Sequence, residues 1–96
     1  MIKKPSKEES INASQDFLIW LSNNPEDLSR FISLTGVTFT DIKDMLVDED
    51  FLRSILEFVL QDENLLIKVC DDTEQDPEKI RLYHYVLSGA EDYNYY

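Results

Sequence analysis

Six times in ninety-six residues the chain offers the start of an α-helix, and no other kind of element is signalled so often. A helix start needs a short polar side chain that accepts from exposed backbone N–H groups, and it gains from carboxylates in the first turn. Ser6-Lys7-Glu8-Glu9 fits the reciprocal capping box, with Pro5 discouraging helix before it. Asn24-Pro25-Glu26-Asp27 places proline at the first helical position, where its fixed φ is an advantage. Thr38-Phe39-Thr40-Asp41, Asp48-Glu49-Asp50, Asp62 and Asp76-Pro77-Glu78 supply the other four starts. Asn23-Asn24, Gly36 and Gly89 supply stops.

Between these signals the apolar residues keep helical spacing. Ala13, Phe17, Trp20 and Leu21 form one stripe, with Ile11, Ser14 and Leu18 beside it, so the first helix is predicted over Lys7 to Ser22. Leu28, Phe31, Ile32 and Thr35 mark one face of a second, ending at Gly36, and Ile42, Met45 and Leu46 mark a short third of about two turns. Phe51 to Leu60 is interrupted only by Arg53, Ser54 and Glu57. So wide an apolar arc predicts a central helix contacted on more than one side. Leu65, Leu66, Ile67, Val69 and Cys70 mark a fifth helix, Asp71-Asp72-Thr73-Glu74-Gln75 reads as polar linker, and Ile80, Tyr83, Val86 and Leu87 mark a sixth up to Gly89.

Two glycines and three prolines are too few for the turns of a β-sandwich or barrel, and only Leu34 to Thr40 alternates like a strand, with Gly36 inside it. The shared order of cap, proline, acid and glycine in Asn24–Gly36 and Asp76–Gly89 is capping chemistry rather than a repeat, because the interiors differ. The fold class is therefore all-α, a compact single-domain bundle of five or six short helices over residues 6–89. A flexible basic N-terminus is expected at 1–5 and a tyrosine-rich tail at 90–96.

Hydrophobic residues make up 43% of the chain, enough for a core, so the charge is not a sign of disorder. Twenty acids against nine basic residues give −11, which repels phosphate backbones and anionic lipid, and direct nucleic-acid partners are not expected. No apolar run approaches the length of a membrane span. The lysines at the start are followed by no apolar stretch of the secretory kind, and the single Cys70 cannot form an internal disulfide; both point to the cytoplasm.

Motifs that carry chemistry fail one by one. Starting a calcium loop at Asp48 puts Leu52 at its fifth position, and starting at Asp72 puts Pro77 where glycine belongs. One histidine and one cysteine fall short of a zinc set, and Gly36 and Gly89 are too isolated for a phosphate loop. Cys70 follows Val69 on an apolar face and reads as a buried thiol, while His84 between Tyr83 and Tyr85 reads as a rim residue. Neither metal, cofactor nor catalytic constellation is expected, and the chain reads as a non-enzyme.

One resemblance is visible. Phe17-Leu18-Ile19-Trp20-Leu21, Asn24-Pro25-Glu26-Asp27-Leu28-Ser29-Arg30-Phe31, Leu34-Thr35-Gly36, Phe51-Leu52, Ile55-Leu56-Glu57-Phe58, Asp62-Glu63, Leu65-Leu66 and Asp76-Pro77 cover most of Phe17 to Pro77. Together they resemble a family of small, all-helical alphaproteobacterial proteins catalogued as a domain of unknown function. The resemblance implies a helical fold and assigns no catalytic residue. This chain departs from it in greater acidity and in its terminal tyrosines.

Two uneven distributions suggest contact surfaces. Asp41 to Glu78 holds thirteen acids against Lys43, Arg53 and Lys68, whereas Met1 to Lys7 holds three lysines and no acid. Solubility and capping explain much of the excess, and the sharper reading is an acidic docking surface for a basic protein partner, with Asp48, Glu49, Asp50, Asp71, Asp72 and Glu74 as its candidates. All five tyrosines fall in the last fourteen residues, and Tyr85, Tyr93, Tyr95 and Tyr96 are candidates for contact, including contact with a second copy in a homodimer. Tyr83 and Tyr85 lie about 200° apart on a helix, so only one of them can face a core. The leading reading is an acidic, non-enzymatic protein-interaction module; a homodimer built on the tyrosine-rich segment and an acidic mimic of DNA are the alternatives.

Overall fold

A helix of eleven residues is marginal in water until its end groups are satisfied and one face is buried, so caps and packing together decide this structure. A computed structural model describes residues 4–89, which form α1 (Lys7–Ser22), α2 (Pro25–Thr35), α3 (Phe39–Asp44), α4 (Glu49–Leu60), α5 (Glu63–Thr73) and α6 (Pro77–Leu87). There is no strand among the described residues, and the molecule is an all-α, single-domain bundle. Residues 1–3 of the expected basic terminus and all of the expected tail, 90–96, lie outside the described residues.

Five of the six starts close through the side chains that signal them. Ser6 Oγ accepts from the Glu9 N–H at 3.0 Å and Glu9 accepts from the Ser6 N–H at 3.4 Å, and Thr38 and Asp41 repeat the exchange at 3.2 Å each way. Asp48, Asp62 and Asp76 accept from the N–H groups of Phe51, Leu65 and Glu78 at 3.1, 3.1 and 2.9 Å. The Leu65 N–H, helped by the Arg30 guanidinium, holds the Asp62 carboxyl below the usual carboxylate range. Asn24 is the exception: its amide donates backward to the Trp20 carbonyl at 2.7 Å, closing the end of α1. The start of α2 rests on Pro25, Glu26 and Asp27 instead.

Two expected boundaries move. Leu46 belongs to no helix: α3 ends at Asp44, and Leu46 is exposed in the turn beyond it. The expected linker Asp71–Gln75 is largely helix, because α5 runs on to Thr73 and turns only at Glu74. Thr73 Oγ1 donates to the Val69 carbonyl at 2.6 Å, and Trp20 Nε1 donates to Asp72 at 2.7 Å, so the last turn of α5 is tied both to itself and to α1.

The core gathers around α4. Phe17 and Leu21 of α1, Phe31 of α2, Leu52, Ile55 and Leu56 of α4, Val69 of α5 and Ile80 of α6 are all fully buried. α4 packs against α1, α5 and α6, as its wide apolar arc demands, and α1 and α6 close on each other. Phe31 brings α2 to this core by meeting the rings of Phe51 and Phe58 edge-on, at centroid distances of 5.9 and 5.2 Å. Ser10 and Ser14 are buried in α1 without cost in unpaired groups, since their hydroxyls donate to the Ser6 and Ser10 carbonyls at 2.9 and 2.8 Å. Among the described residues no helix is long and apolar enough to cross a membrane.

Phe58 sits where α2 meets α4, with the Arg30 guanidinium 5.2 Å from its ring. Phe58→Ala is expected to cost about 3–5 kcal/mol, a large share of the stability of so small a domain. Arg53→Ala removes only half-exposed ion pairs to Asp50 and Glu57 and should cost less than about 1 kcal/mol. Urea unfolding of both variants measures the difference, and equal losses would overturn this account of the core.

Candidate functional site

The acid excess divides once each carboxylate is placed. Asp48, Glu49 and Asp50 stand at the start of α4, where Asp48 caps, Glu49 pairs with Lys7 at 3.0 Å and Asp50 pairs with Arg53 at 3.3 Å. Helix stability explains all three, because a carboxylate in a first turn complements the dipole. Asp71, Asp72 and Glu74 stand at the other end of a helix, in the last turn and at the C-cap of α5, where negative charge opposes the dipole and no basic residue offsets it. Structure does not bring the two groups together. Glu49 meets α1 at Lys7 and Asp72 meets it at Trp20, thirteen residues or about 20 Å farther along the same helix.

Glu74 adds a conformational cost to the electrostatic one. At φ 56° and ψ 40° it is the one described non-glycine residue in the left-handed region. That geometry lets the Gln75 N–H reach the Cys70 carbonyl at 2.8 Å and the Glu74 N–H reach Asp71 at 3.4 Å, the paired closure that ordinarily uses glycine. Glycine fills the corresponding place after α2, at Gly36 with φ 76°.

The chain turns here from α5 into α6, and the turn borders an open hollow of about 440 Å³ lined by Ile67, Cys70, Asp71, Glu74, Gln75 and Pro77. Ile67, one of the apolar residues that mark α5 in the sequence, is 55% exposed. Leu65, Val69 and Cys70 turn inward, and at 100° per residue Ile67 cannot follow them. From Ile67 to Glu78 the chain carries five acids against Lys68. Lys68 is directed elsewhere, toward Asp27 at 3.6 Å and over the Trp20 ring at 5.4 Å. Among the described residues no ion pair falls on Asp71, Asp72, Glu74, Asp76 or Glu78, and no three acidic, thiol or imidazole groups converge as a metal site.

The remaining candidates separate. Tyr83 is buried and Tyr85 is 40% exposed, with Lys4 Nζ 5.9 Å from its ring centroid. Tyr93, Tyr95 and Tyr96 lie outside the described residues. His84 Nε2 contacts Glu57 at 2.9 Å on the rim between α6 and α4, a partner other than Cys70. Burial, with the nearby Asp76 charge, pushes the Cys70 thiol up to about 11. Burial also raises Tyr83, with Glu9, Asp76 and Cys70 adding to it. A thiol so held is a poor nucleophile at neutral pH.

The family described as Protein of unknown function (DUF3572) matches residues 8–90, which takes in the helices from the first turn of α1 to the end of α6. The chain is a DUF3572 protein. No curated protein and no solved structure matches it. The DUF3572 match thus covers the α5–α6 turn as well as the core.

Sequence reasoning singled out Asp71, Asp72 and Glu74 as contact candidates, but neither Ile67 nor the tie between Trp20 and Asp72. The helical spacing of Ile67 relative to Val69 was the available signal for the first; nothing in the sequence signals the second.

Two outcomes follow from this geometry. Glu74→Gly should stabilise the fold by about 1 kcal/mol in urea unfolding, since it relieves the left-handed conformation and a charge at the wrong helix end; destabilisation would show that the Glu74 side chain holds the turn. A thiol that binds its proton more tightly folded than unfolded stabilises the fold below its ordinary value of 9.0, and this contribution is lost as pH climbs to about 11. Wild type should therefore lose more stability across that window than Cys70→Ala, and equal losses would remove Cys70 as a cause.

Proposed function

We propose that this DUF3572 protein is a non-enzymatic docking module that binds a basic segment of another protein at the turn between α5 and α6. One observation carries the reading: Asp71 and Glu74 stand where they oppose the α5 dipole, with Glu74 in the left-handed region and neither residue in an ion pair among the described residues. Carboxylates that serve the fold occupy helix starts or meet a cation, as Asp48, Asp62 and Glu49 do. A pair that does neither, and lowers stability, is accounted for by a charge supplied from outside. Attraction between the turn and such a partner is mainly Coulombic, which sets orientation and speeds encounter. The setting proposed with it is the cytoplasm, on the strength of a single buried cysteine that has no partner within the chain.

Trp20 is the sole tryptophan and its ring nitrogen is bonded to Asp72, so its fluorescence reports on this turn. Titration with a short oligolysine peptide should shift that fluorescence, and the affinity should fall steeply as salt shortens the Debye length from about 30 to 8 Å. Asp71→Asn with Glu74→Gln should weaken binding about fivefold or more, whereas Asp44→Asn with Glu63→Gln, the same change in net charge elsewhere, should weaken it less than about twofold. Equal losses from the two pairs would mean that the peptide responds to net charge alone, and the proposed site would fall.

A further inference from the structure

The hollow beside the acidic turn is mostly apolar. Exposed Ile67, buried Cys70 and Pro77 line it together with Asp71, Glu74 and Gln75. Ile67 has no role in the core: α5 already buries Leu65, Val69 and Cys70 there, and a polar residue at 67 would serve the helix as well. An apolar surface rimmed by charge of one sign selects its occupant by complementarity. A second copy of the chain would bring the same carboxylates face to face with their like, and a phosphate-bearing surface would be repelled as well. A lysine- or arginine-rich segment with one bulky aliphatic side chain satisfies both parts, the side chain covering Ile67 and Pro77 and the cations meeting Asp71 and Glu74.

We infer that the basic segment bound at the α5–α6 turn carries an aliphatic anchor that seats in the hollow of Ile67, Cys70 and Pro77. The inference rests on the docking role proposed above and adds the specificity that charge alone lacks. Charge recruits any basic chain, whereas the anchor separates one basic sequence from another at equal charge.

The test uses two oligolysine peptides of equal length, one with a central leucine and one with alanine in its place, titrated by calorimetry into the full chain at physiological salt. The leucine peptide should bind about tenfold more tightly, as burial of one aliphatic side chain predicts. Against Ile67→Ala, a surface substitution expected to leave the fold intact, the advantage should shrink to about threefold or less. Equal affinity of the two peptides, with Asp71 and Glu74 still required, would overturn the anchor and leave the docking role standing. A leucine advantage undiminished in Ile67→Ala would place the anchor elsewhere and also overturn it. Binding by neither peptide would overturn both the anchor and the docking role.

Discussion

Everything in this fold leans on the burial of α4. Its apolar residues cover so much of its circumference that no single neighbour could hide them, and α1, α5 and α6 each take a share. That requirement sets the arrangement of the other helices more strongly than their own propensities do, because segments of eleven residues have little helical stability alone. α2 joins through Leu28 and Phe31, both buried, and the Phe31 ring stands edge-on to two phenylalanines of α4. In α3 Ile42 rests against the core, with the following Met45 beside it. A substitution that shrinks α4 is felt by three neighbours at once, which is why stability concentrates there.

Carboxylates do most of the remaining work at the helix starts, and for that reason most of the fold was legible in the sequence. A cap is a local interaction, completed within three residues by the side chain that announces it, as at Ser6, Thr38, Asp48 and Asp62. Asn24 carries the same signal but spends its amide on the Trp20 carbonyl, because the connection between α1 and α2 is short enough for the residue to serve the helix before it. The end of α5 was illegible for a different reason. A run of polar residues with no glycine reads as linker, and only tertiary structure reveals that Trp20 holds Asp72 and that Glu74 adopts the conformation glycine would usually supply. Ile67 was read only as one of the apolar residues that mark the fifth helix, and the geometry of the helix turns it outward.

The net charge of −11 is therefore not one property but two. Part of it is structural, locked into caps or into pairs such as Arg30 with Asp62 at 2.9 Å and Lys7 with Glu49 at 3.0 Å. These carboxylates are already engaged and offer little field to a partner. Another part lies where α5 gives way to α6 and is in no ion pair among the described residues. Counting acids along the chain merges the two and gives Asp48, Glu49 and Asp50 the same weight as Asp71 and Glu74. Placing them on helices separates them, since the sign of the dipole differs between the ends.

Rigidity decides whether such a turn can select a partner or only attract one. A flexible acidic loop would have to be ordered on binding, and the entropy lost would offset much of the Coulombic gain. Here the backbone is already fixed. The Gln75 and Glu74 N–H groups close onto Cys70 and Asp71, Thr73 bonds back to Val69, and Asp72 is clasped by a tryptophan that is itself in the core. Asp72 thus acts as the anchor of the turn and leaves Asp71 and Glu74, on either side of it in sequence, to face outward. The left-handed conformation at Glu74 serves the same end: it reverses the chain within one residue, so that the start of α6 brings Pro77 beside Ile67 and Cys70. Glycine would make that reversal at lower cost and leave it looser, and it would remove the carboxylate from the lining of the hollow. Loss of stability at this position and charge presented by a fixed backbone are two consequences of a single residue choice.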